Sequence, residues 1–337
     1  MNDTPPPPPS KHIVELIQAI KESADKLADD KTSRGDLKII SRTLRELRYA
    51  FKVFSPYRHS RKVTVFGSAR TAPDQPAYQQ AVAFGRAMAA HEWFVITGAA
   101  SGIMEAGHAG AGREHSMGLN ILLPFEQSTN PIITGDRKLV YMKYFFTRKL
   151  MFVKESDAFC LMPGGFGTLD EGLEVLTLLQ TGKHDMMPVV LLDEPGGGYW
   201  SGFDQFVRAQ LLDRGMIGLE DMSLYRLTDR VEDAVEEILR FYSVYHSMRY
   251  VRTNLVFRLQ WPPSESLLEE INDRFHDVLL RGSFAVSEPL PEEREESDLA
   301  ALPRLVFHFD RRSFGRLRQL IDCINRGAVG DVSDARD

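Results

Sequence analysis

The chain has few of the residues that mark secreted, metal-binding or membrane-spanning proteins. Its 337 residues include two cysteines, Cys160 and Cys323, with no CxxC or paired Cys/His spacing, which excludes a disulfide framework and a structural zinc site. No segment approaches the roughly 18 apolar residues of a spanning helix. The proline-rich start, Pro5 to Pro9, is unlike a signal peptide. We therefore expect a cytoplasmic protein with no membrane partner, no metal and no cofactor.

A long basic segment is also absent, and the formal net charge is -6. This balance argues against nucleic acid as a partner. It leaves room for a small phosphorylated ligand, which needs only a local positive site. Hydrophobic residues make up 43% of the chain, enough for a large core, and the length suggests two domains.

Three regions differ in their hydrophobic pattern. Residues 1–58 combine a proline-rich, disordered tail with apolar residues at helical spacing, which predicts a helical arm. Residues 59–246 alternate continuous apolar strands with amphipathic helices, as in an α/β domain with a doubly wound, Rossmann-like parallel sheet. Residues 247–337 follow the order βαββα, which predicts a small ferredoxin-like or ACT-like α+β module with a regulatory or interface role.

Three glycine-bearing loops follow predicted strands, where doubly wound sheets bind their ligands. Gly67 and Ser68 follow the first strand, Gly98 and Gly102 flank the loop after the second, and residues 163–167 follow a later one. Backbone N–H groups in such loops can bind an anion. For the loop from Gly98 to Gly102, a tight turn that needs glycine for its dihedral angles is an equally good explanation.

Residues 163–171, PGGFGTLDE, form the most specific of these segments. The glycines permit close approach of a phosphate, and the helix start adds about half a positive charge. Thr168 and Glu171 also have the spacing of a capping box, in which Glu171 bonds back to the Thr168 amide, and spacing alone favours this cap. Arg148 and Lys149 open a helix just before the strand Ala158 to Met162, which leads into this segment, so both cations can reach the same pocket. A solvated helix surface is the usual place for such a pair.

The PGGxGTxxE pattern, preceded by Arg148 and Lys149, resembles the LOG ("Lonely guy") family, and the likeness extends over residues 59–246. Members of that family have also been labelled "possible lysine decarboxylase". The resemblance implies a phosphoribohydrolase that cleaves the N-glycosidic bond of a nucleoside 5′-monophosphate, releasing the free base and ribose 5-phosphate. It further implies a homodimer or higher homo-oligomer, with Arg148 and Glu171 as the catalytic pair.

The loops and the resemblance together define a predicted substrate site. Its residues are Gly67, Ser68, Gly98, Gly102, Met104, Asn130, Lys149, Pro163, Gly164, Gly165, Phe166, Gly167, Thr168 and Thr177. N-glycoside hydrolysis passes through a cationic, oxocarbenium-like sugar, which a nearby carboxylate stabilises. We expect the helix dipole to keep the carboxyl of Glu171 ionised.

Two questions stay open at this point. A nucleotide or molybdenum-cofactor carrier or sensor of the same fold would need the phosphate loops but not the Arg148–Glu171 pair. Within the enzyme hypothesis, plant-type members act on cytokinin ribotides. This chain has Ala99 and Ala100 where many members have glycine, so AMP is an equally good candidate substrate.

Overall fold

The structure is a computed structural model that describes residues 11–123, 129–293 and 297–333. It divides into a helical unit that ends at Lys52 and a larger unit that starts at Val53. The helical unit contains α1 (Lys11–Asp29) and most of α2 (Arg34–Phe54). The helical arm predicted from the apolar spacing is therefore confirmed. The predicted domain boundaries at residues 58 and 246 stay predictions.

The larger unit begins with a parallel sheet and its flanking helices. In chain order these are β1 (Lys62–Phe66), α3 (Pro76–Ala90), β2 (Phe94–Thr97), α4 (Ile103–Ala111), β3 (Ser116–Ile121), β4 (Leu139–Met142), α5 (Phe145–Glu155), β5 (Ala158–Leu161), α6 (Phe166–Gln180), β6 (Val189–Leu192), α7 (Tyr199–Phe206), β7 (Arg226–Thr228) and α8 (Val231–Phe241). The strand order is β4-β3-β2-β1-β5-β6-β7, and each neighbouring pair is parallel. The doubly wound, Rossmann-like sheet is confirmed.

The central strands are buried on both faces because helices cover both. Val63 and Val65 of β1 pack into one core cluster with side chains of α3, α4 and α8. On the opposite face, the ring of Phe66 contacts that of Phe152 on α5, with 4.7 Å between centroids. Full burial of each such side chain contributes about 1.5–3 kcal/mol. This packing fixes α5 against the carboxyl half of β1.

The strand order reverses between β1 and β5, which lie side by side in the sheet. At such a switch point the connections leave in opposite directions, so a crevice opens beyond the carboxyl ends of the two strands. The loop that starts at Gly67 follows β1, and the loop that starts at Met162 follows β5. The fold therefore places two of the three predicted glycine loops on either side of this crevice.

A second, antiparallel sheet follows in the same unit. Its elements are β8 (Tyr245–Val251), β9 (Asn254–Leu259), α9 (Glu265–Arg274), β10 (Leu279–Ser287), β11 (Arg304–Phe309) and α10 (Phe314–Ser333), with strand order β10-β11-β9-β8. The α+β module is confirmed, but the predicted order βαββα lacked β8. Every third residue of β8 is buried, namely Tyr245, Met248 and Val251, so the strand lacks the alternation that identifies strands in a sequence.

Smaller points complete the comparison with the sequence. The edge strand β4 was not predicted. Spacing offers both Ser264 and Ser266 as caps of α9, and the cap is Ser264, whose Oγ accepts a hydrogen bond from the Leu267 amide at 3.3 Å. The sequence also predicts that the strand over residues 118–123 stops at Pro124, which lies outside the described residues. Among the helices of the described ranges, none is both long and apolar enough to span a bilayer.

Candidate active site

The three glycine loops contact one another directly. The amide of Ser68 donates to the carbonyl of Pro163 at 3.0 Å, and the amide of Ile103 donates to the carbonyl of Ser68 at 3.0 Å. The hydroxyl of Ser101 adds a hydrogen bond to the carbonyl of Ala69 at 2.9 Å. The loops after β1, β2 and β5 therefore form one continuous surface, which we call the glycine floor (residues 67–69, 98–102 and 163–168).

Two glycines of the floor are required by close backbone approach. Gly102 has a positive φ of 68°, and a Cβ there would overlap the carbonyl oxygen of Ser68. A Cβ on Gly164 would overlap the Thr168 hydroxyl and lie 3.0 Å from the carbonyl carbon of Gly67. These glycines are needed for packing between loops, whether or not an anion binds above them.

The start of α6 contradicts the capping box that spacing alone favours. The helix begins at Phe166, its N-cap is Gly165, and no side chain caps it. Thr168 lies inside the first turn, where its amide donates to the carbonyl of Gly165 at 3.0 Å. The proposed bond from Glu171 to the Thr168 amide is therefore wrong, because that amide already has a backbone partner.

The structure brings the two predicted catalytic side chains together. Arg148 on α5 and Glu171 on α6 approach to 3.7 Å between Nη2 and Oε1, with side chains 13% and 4% exposed. The guanidinium carbon of Arg148 lies 4.9 Å from the ring centroid of Phe145 and 5.6 Å from that of Phe152. Its Nε is buried and has no hydrogen-bond partner within the described ranges. Arg148 thus has one buried N–H donor, at Nε, that no protein group accepts from in the described ranges.

Burial dominates the electrostatics of Glu171. It raises the pKa of this carboxyl from 4.5 to about 7, while Lys149 and Arg148 oppose the rise. The expectation that the helix dipole keeps Glu171 ionised is therefore wrong. The dipole at a helix start is worth only about 0.3–1 kcal/mol, which is less than the cost of desolvating a carboxylate.

Lys149 links three carboxylates on α6. Its Nζ lies 2.6 Å from Glu174, 2.9 Å from Asp170 and 3.6 Å from Glu171. Burial acts to lower the pKa of Lys149, but the hydrogen bonds with Glu174 and Asp170 outweigh it and raise that pKa. Lys149 is thus engaged with protein carboxylates, and its contact with substrate stays a prediction.

Gly98 and Met104 lie next to this charged pair. A Cβ on Gly98 would be 2.9 Å from the sulfur of Met104 and 3.7 Å from Nη1 of Arg148. The carbonyl of Gly98 accepts a hydrogen bond from Nδ2 of Asn120 at 3.1 Å. The hydrogen bond from Asn120 therefore holds the loop after β2 beside the guanidinium of Arg148.

Asn130 supports the floor from within the protein. It is buried, and its Nδ2 lies 3.2 Å from the carbonyl of Ala100 and 3.2 Å from Nδ1 of His108. Burial lowers the pKa of His108 to about 4, so this imidazole is neutral near pH 7. A contact of Asn130 with ribose stays a prediction, while its hydrogen bonds show a role in shaping the loop.

Thr177 is the predicted site residue that the structure does not bring to the floor. Its hydroxyl donates to the carbonyl of Leu173 at 2.8 Å, a local helix contact. At 1.5 Å per residue, Thr177 lies about 9 Å along α6 from Glu171. Phe166, in contrast, stands at the rim of the floor with 93% of its surface exposed.

Tyr199 is a site residue that the sequence did not reveal. Its hydroxyl donates to the carbonyl of Gly164 at 2.6 Å across 35 residues of sequence. The available signal was the glycine-rich segment before Tyr199, which follows β6 and so also lies at the carboxyl edge of the sheet. This hydrogen bond ties a fourth loop to the glycine floor.

The floor, the switch point and the buried Arg148–Glu171 pair define a doubly wound α/β protein with a buried arginine–glutamate pair at the carboxyl edge of its sheet. A family model described as "Possible lysine decarboxylase" matches residues 97–238. A cytokinin riboside 5′-monophosphate phosphoribohydrolase of Mycobacterium marinum is 29% identical over 167 residues, which cover 49% of this chain and 87% of that protein. The protein LOGL2 of Oryza sativa subsp. japonica, named a probable enzyme of the same activity, is 30% identical over 208 residues, 60% of this chain and 78% of the relative. The chain belongs to the LOG family.

Solved structures with a similar chain path include two molybdenum-cofactor proteins. The molybdenum cofactor binding protein of Rippkaea orientalis is 19% identical with a TM-score of 0.37, over 52% of this chain and 94% of that one. The molybdenum cofactor carrier protein of Chlamydomonas reinhardtii is 19% identical with a TM-score of 0.39, over 54% and 97%. Neither likeness is large enough to indicate a shared ligand.

Proposed function

We propose that this chain is a nucleoside 5′-monophosphate phosphoribohydrolase that releases the free base and ribose 5-phosphate. The observation that carries the proposal is the position of Glu171: its carboxyl is buried beside Arg148 and does not cap its own helix. A buried carboxyl with a pKa of about 7 destabilises the fold when it ionises, and such groups cluster at functional sites. The names of the relatives agree with this activity. A homodimer and a cytosolic location belong to the same proposal.

The glycine floor suits the 5′-phosphate of such a substrate. Gly165 and Gly167 leave open space above their Cα atoms, so a phosphate can approach the amides at the start of α6. The dipole of this helix favours a negative charge there. Glu171 lies one turn further into the protein, which suits a sugar carbon rather than the phosphate itself. The exposed ring of Phe166 offers a surface on which the base can stack.

The reaction then follows from the charges of Arg148 and Glu171. As the bond from C1′ to the base nitrogen breaks, the sugar becomes cationic and ionised Glu171 stabilises it. Water adds its oxygen to C1′ and one of its protons passes to Glu171. The base leaves with the bonding electron pair, and the proton on Glu171 passes to the base, which returns the carboxyl to its ionised form. A pKa near 7 lets Glu171 accept a proton at neutral pH. Arg148 orients the carboxylate with its charge.

The decisive experiment follows free base released from a panel of nucleotides that includes AMP and a cytokinin ribotide. We expect Glu171→Gln to lower kcat about 10²–10⁴-fold, with nucleotide binding retained. Asp170→Asn is the matched control, because it removes the same charge from the neighbouring, 60% exposed side chain. We expect that control to lose less than tenfold.

Two results would contradict the proposal. Tight nucleotide binding without release of base from any member of the panel would make the chain a carrier or sensor. Undiminished turnover by the Glu171→Gln variant would show that the buried carboxyl takes no part in the chemistry.

A further inference from the structure

Helices α1 and α2 each carry apolar residues at the alternating three- and four-residue spacing of a heptad repeat. In α1 these are Ile13, Ile17, Ile20, Ala24 and Leu27, and in α2 they are Leu37, Ile40, Leu44, Leu47 and Phe51. This spacing keeps one apolar stripe on the same side of a helix over its whole length. It is typical of helices that pack lengthwise against other helices.

Most of both stripes on this helical arm (residues 11–52) is open to solvent. The large apolar stripe residues that are exposed range from 40% of their surface at Leu37 to 52% at Ile20, while Leu27 and Leu47 are half-buried. α1 has no buried residue at all, so α2 does not cover its stripe. Contiguous apolar surface of this kind marks an interaction site in soluble proteins.

We propose that the helical arm is a self-association element, in which α1 and α2 of one copy pack against the same helices of a second copy as a four-helix bundle. The available area fits this occupant. Helices of 19 and 21 residues are about 28 and 32 Å long, so stripes about 10 Å wide give roughly 600 Å² per copy. A stable interface buries about 800 Å² per partner. The side chains that flank the two stripes supply the remaining area.

Charge supports an arrangement in which α1 of one copy lies against α2 of the other. α1 has three lysines against four carboxylates, a net charge of -1, whereas α2 has six cations against two carboxylates, a net charge of +4. Pairing unlike helices places opposite net charges side by side, while pairing α2 with α2 would place like charges together. An anionic membrane would account for basic α2 but would leave the acidic α1 and its equally exposed stripe unexplained.

The test compares three full-length proteins by light scattering after size exclusion and by sedimentation equilibrium over a range of concentrations. The heptad variant is Ile17→Glu with Ile20→Glu. Its matched control is Gln18→Glu with Ala19→Glu, which adds the same charge to the same turn of α1 but outside the stripe. We expect the control to associate like the wild type and the heptad variant to have a self-association constant at least tenfold weaker. Thermal unfolding monitored in all three checks that the larger unit stays folded.

Equal association constants for the three proteins would overturn the proposal, as would a wild-type chain that is monomeric at every concentration. Vesicles of phosphatidylserine identify the competing occupant. If the wild type binds them, the heptad variant does not, and all three association constants are equal, then the stripe belongs to a membrane. None of these results depends on the proposed nucleotide reaction, which is measured separately by base release.

Discussion

Replacing Glu171 by glutamine is expected to stabilise the folded chain at alkaline pH while it removes activity. Burial raises the pKa of this carboxyl from 4.5 to about 7, so ionisation costs more free energy in the folded chain than in the unfolded one. Each pKa unit corresponds to about 1.4 kcal/mol. The difference between the two values therefore corresponds to about 3 kcal/mol, which a neutral glutamine of the same shape avoids.

The effect has a defined pH dependence. Because the folded chain holds this proton more tightly, the stability of the wild type falls as pH rises from about 4.5 to about 7 and then levels off. Below about 4.5 the carboxyl is neutral in both states, so the variant and the wild type have similar stability there. Above 7 the variant gains up to about 3 kcal/mol, or roughly 4–7 °C in Tm for a chain of this size.

Thermal unfolding followed by circular dichroism at pH 4.5 and pH 8.5 measures this difference. Asp170→Asn is again the control, since that side chain is 60% exposed. The difference in stability between this variant and the wild type should not grow with pH. If the Glu171→Gln variant is as stable as the wild type or less stable at pH 8.5, the attraction of Arg148 and Lys149 outweighs burial, and the reasoning is refuted.

Three further predictions concern the same site. Base release should rise with pH around a midpoint near 7, because ionised Glu171 is the active form; a flat profile between pH 5.5 and 8.5 would speak against it. Lys149→Met removes a cation 3.6 Å from that carboxylate, so the midpoint should move to higher pH, and an unmoved or lower midpoint would show that Lys149 does not act on Glu171. Gly102→Ala should lower the free energy of unfolding by about 1–3 kcal/mol more than Gly112→Ala does, because both glycines have a positive φ but only a Cβ on Gly102 would overlap the carbonyl of Ser68; equal losses in urea unfolding would contradict the loop packing.

The parallel sheet could be predicted because its central strands are continuous apolar runs. β1, β5 and β6 are buried on both faces, and such runs between amphipathic helices have few alternatives. β4 and β8 were missed for the opposite reason. Each lies at the edge of its sheet: β4 is an apolar run of only four residues with Tyr141 exposed, and β8 has no clean alternation of buried and exposed residues.

Only part of the candidate site could be predicted from the sequence. The resemblance to a known family pointed to Arg148 and Glu171, whereas local spacing favoured a capping box. The start of α6 at Phe166 excludes the capping box, and it depends on backbone hydrogen bonds that the sequence does not specify. The pKa of Glu171 and the hydrogen bond from Tyr199 to Gly164 depend on contacts between α6 and segments distant in sequence, so local patterns could not give either.

The interlocked loops of the glycine floor also bear on how this protein can change. A Cβ on Gly67, Gly102 or Gly164 would overlap Ile103, Ser68 or Thr168 respectively, so a substitution at one of these glycines requires a compensating shift of its neighbour. Phe166 has no such constraint, because 93% of its surface is free. Under the proposed function, a change of nucleobase preference by a single substitution is therefore expected at Phe166 rather than at these glycines, and a directed-evolution library for altered substrate choice should start at Phe166.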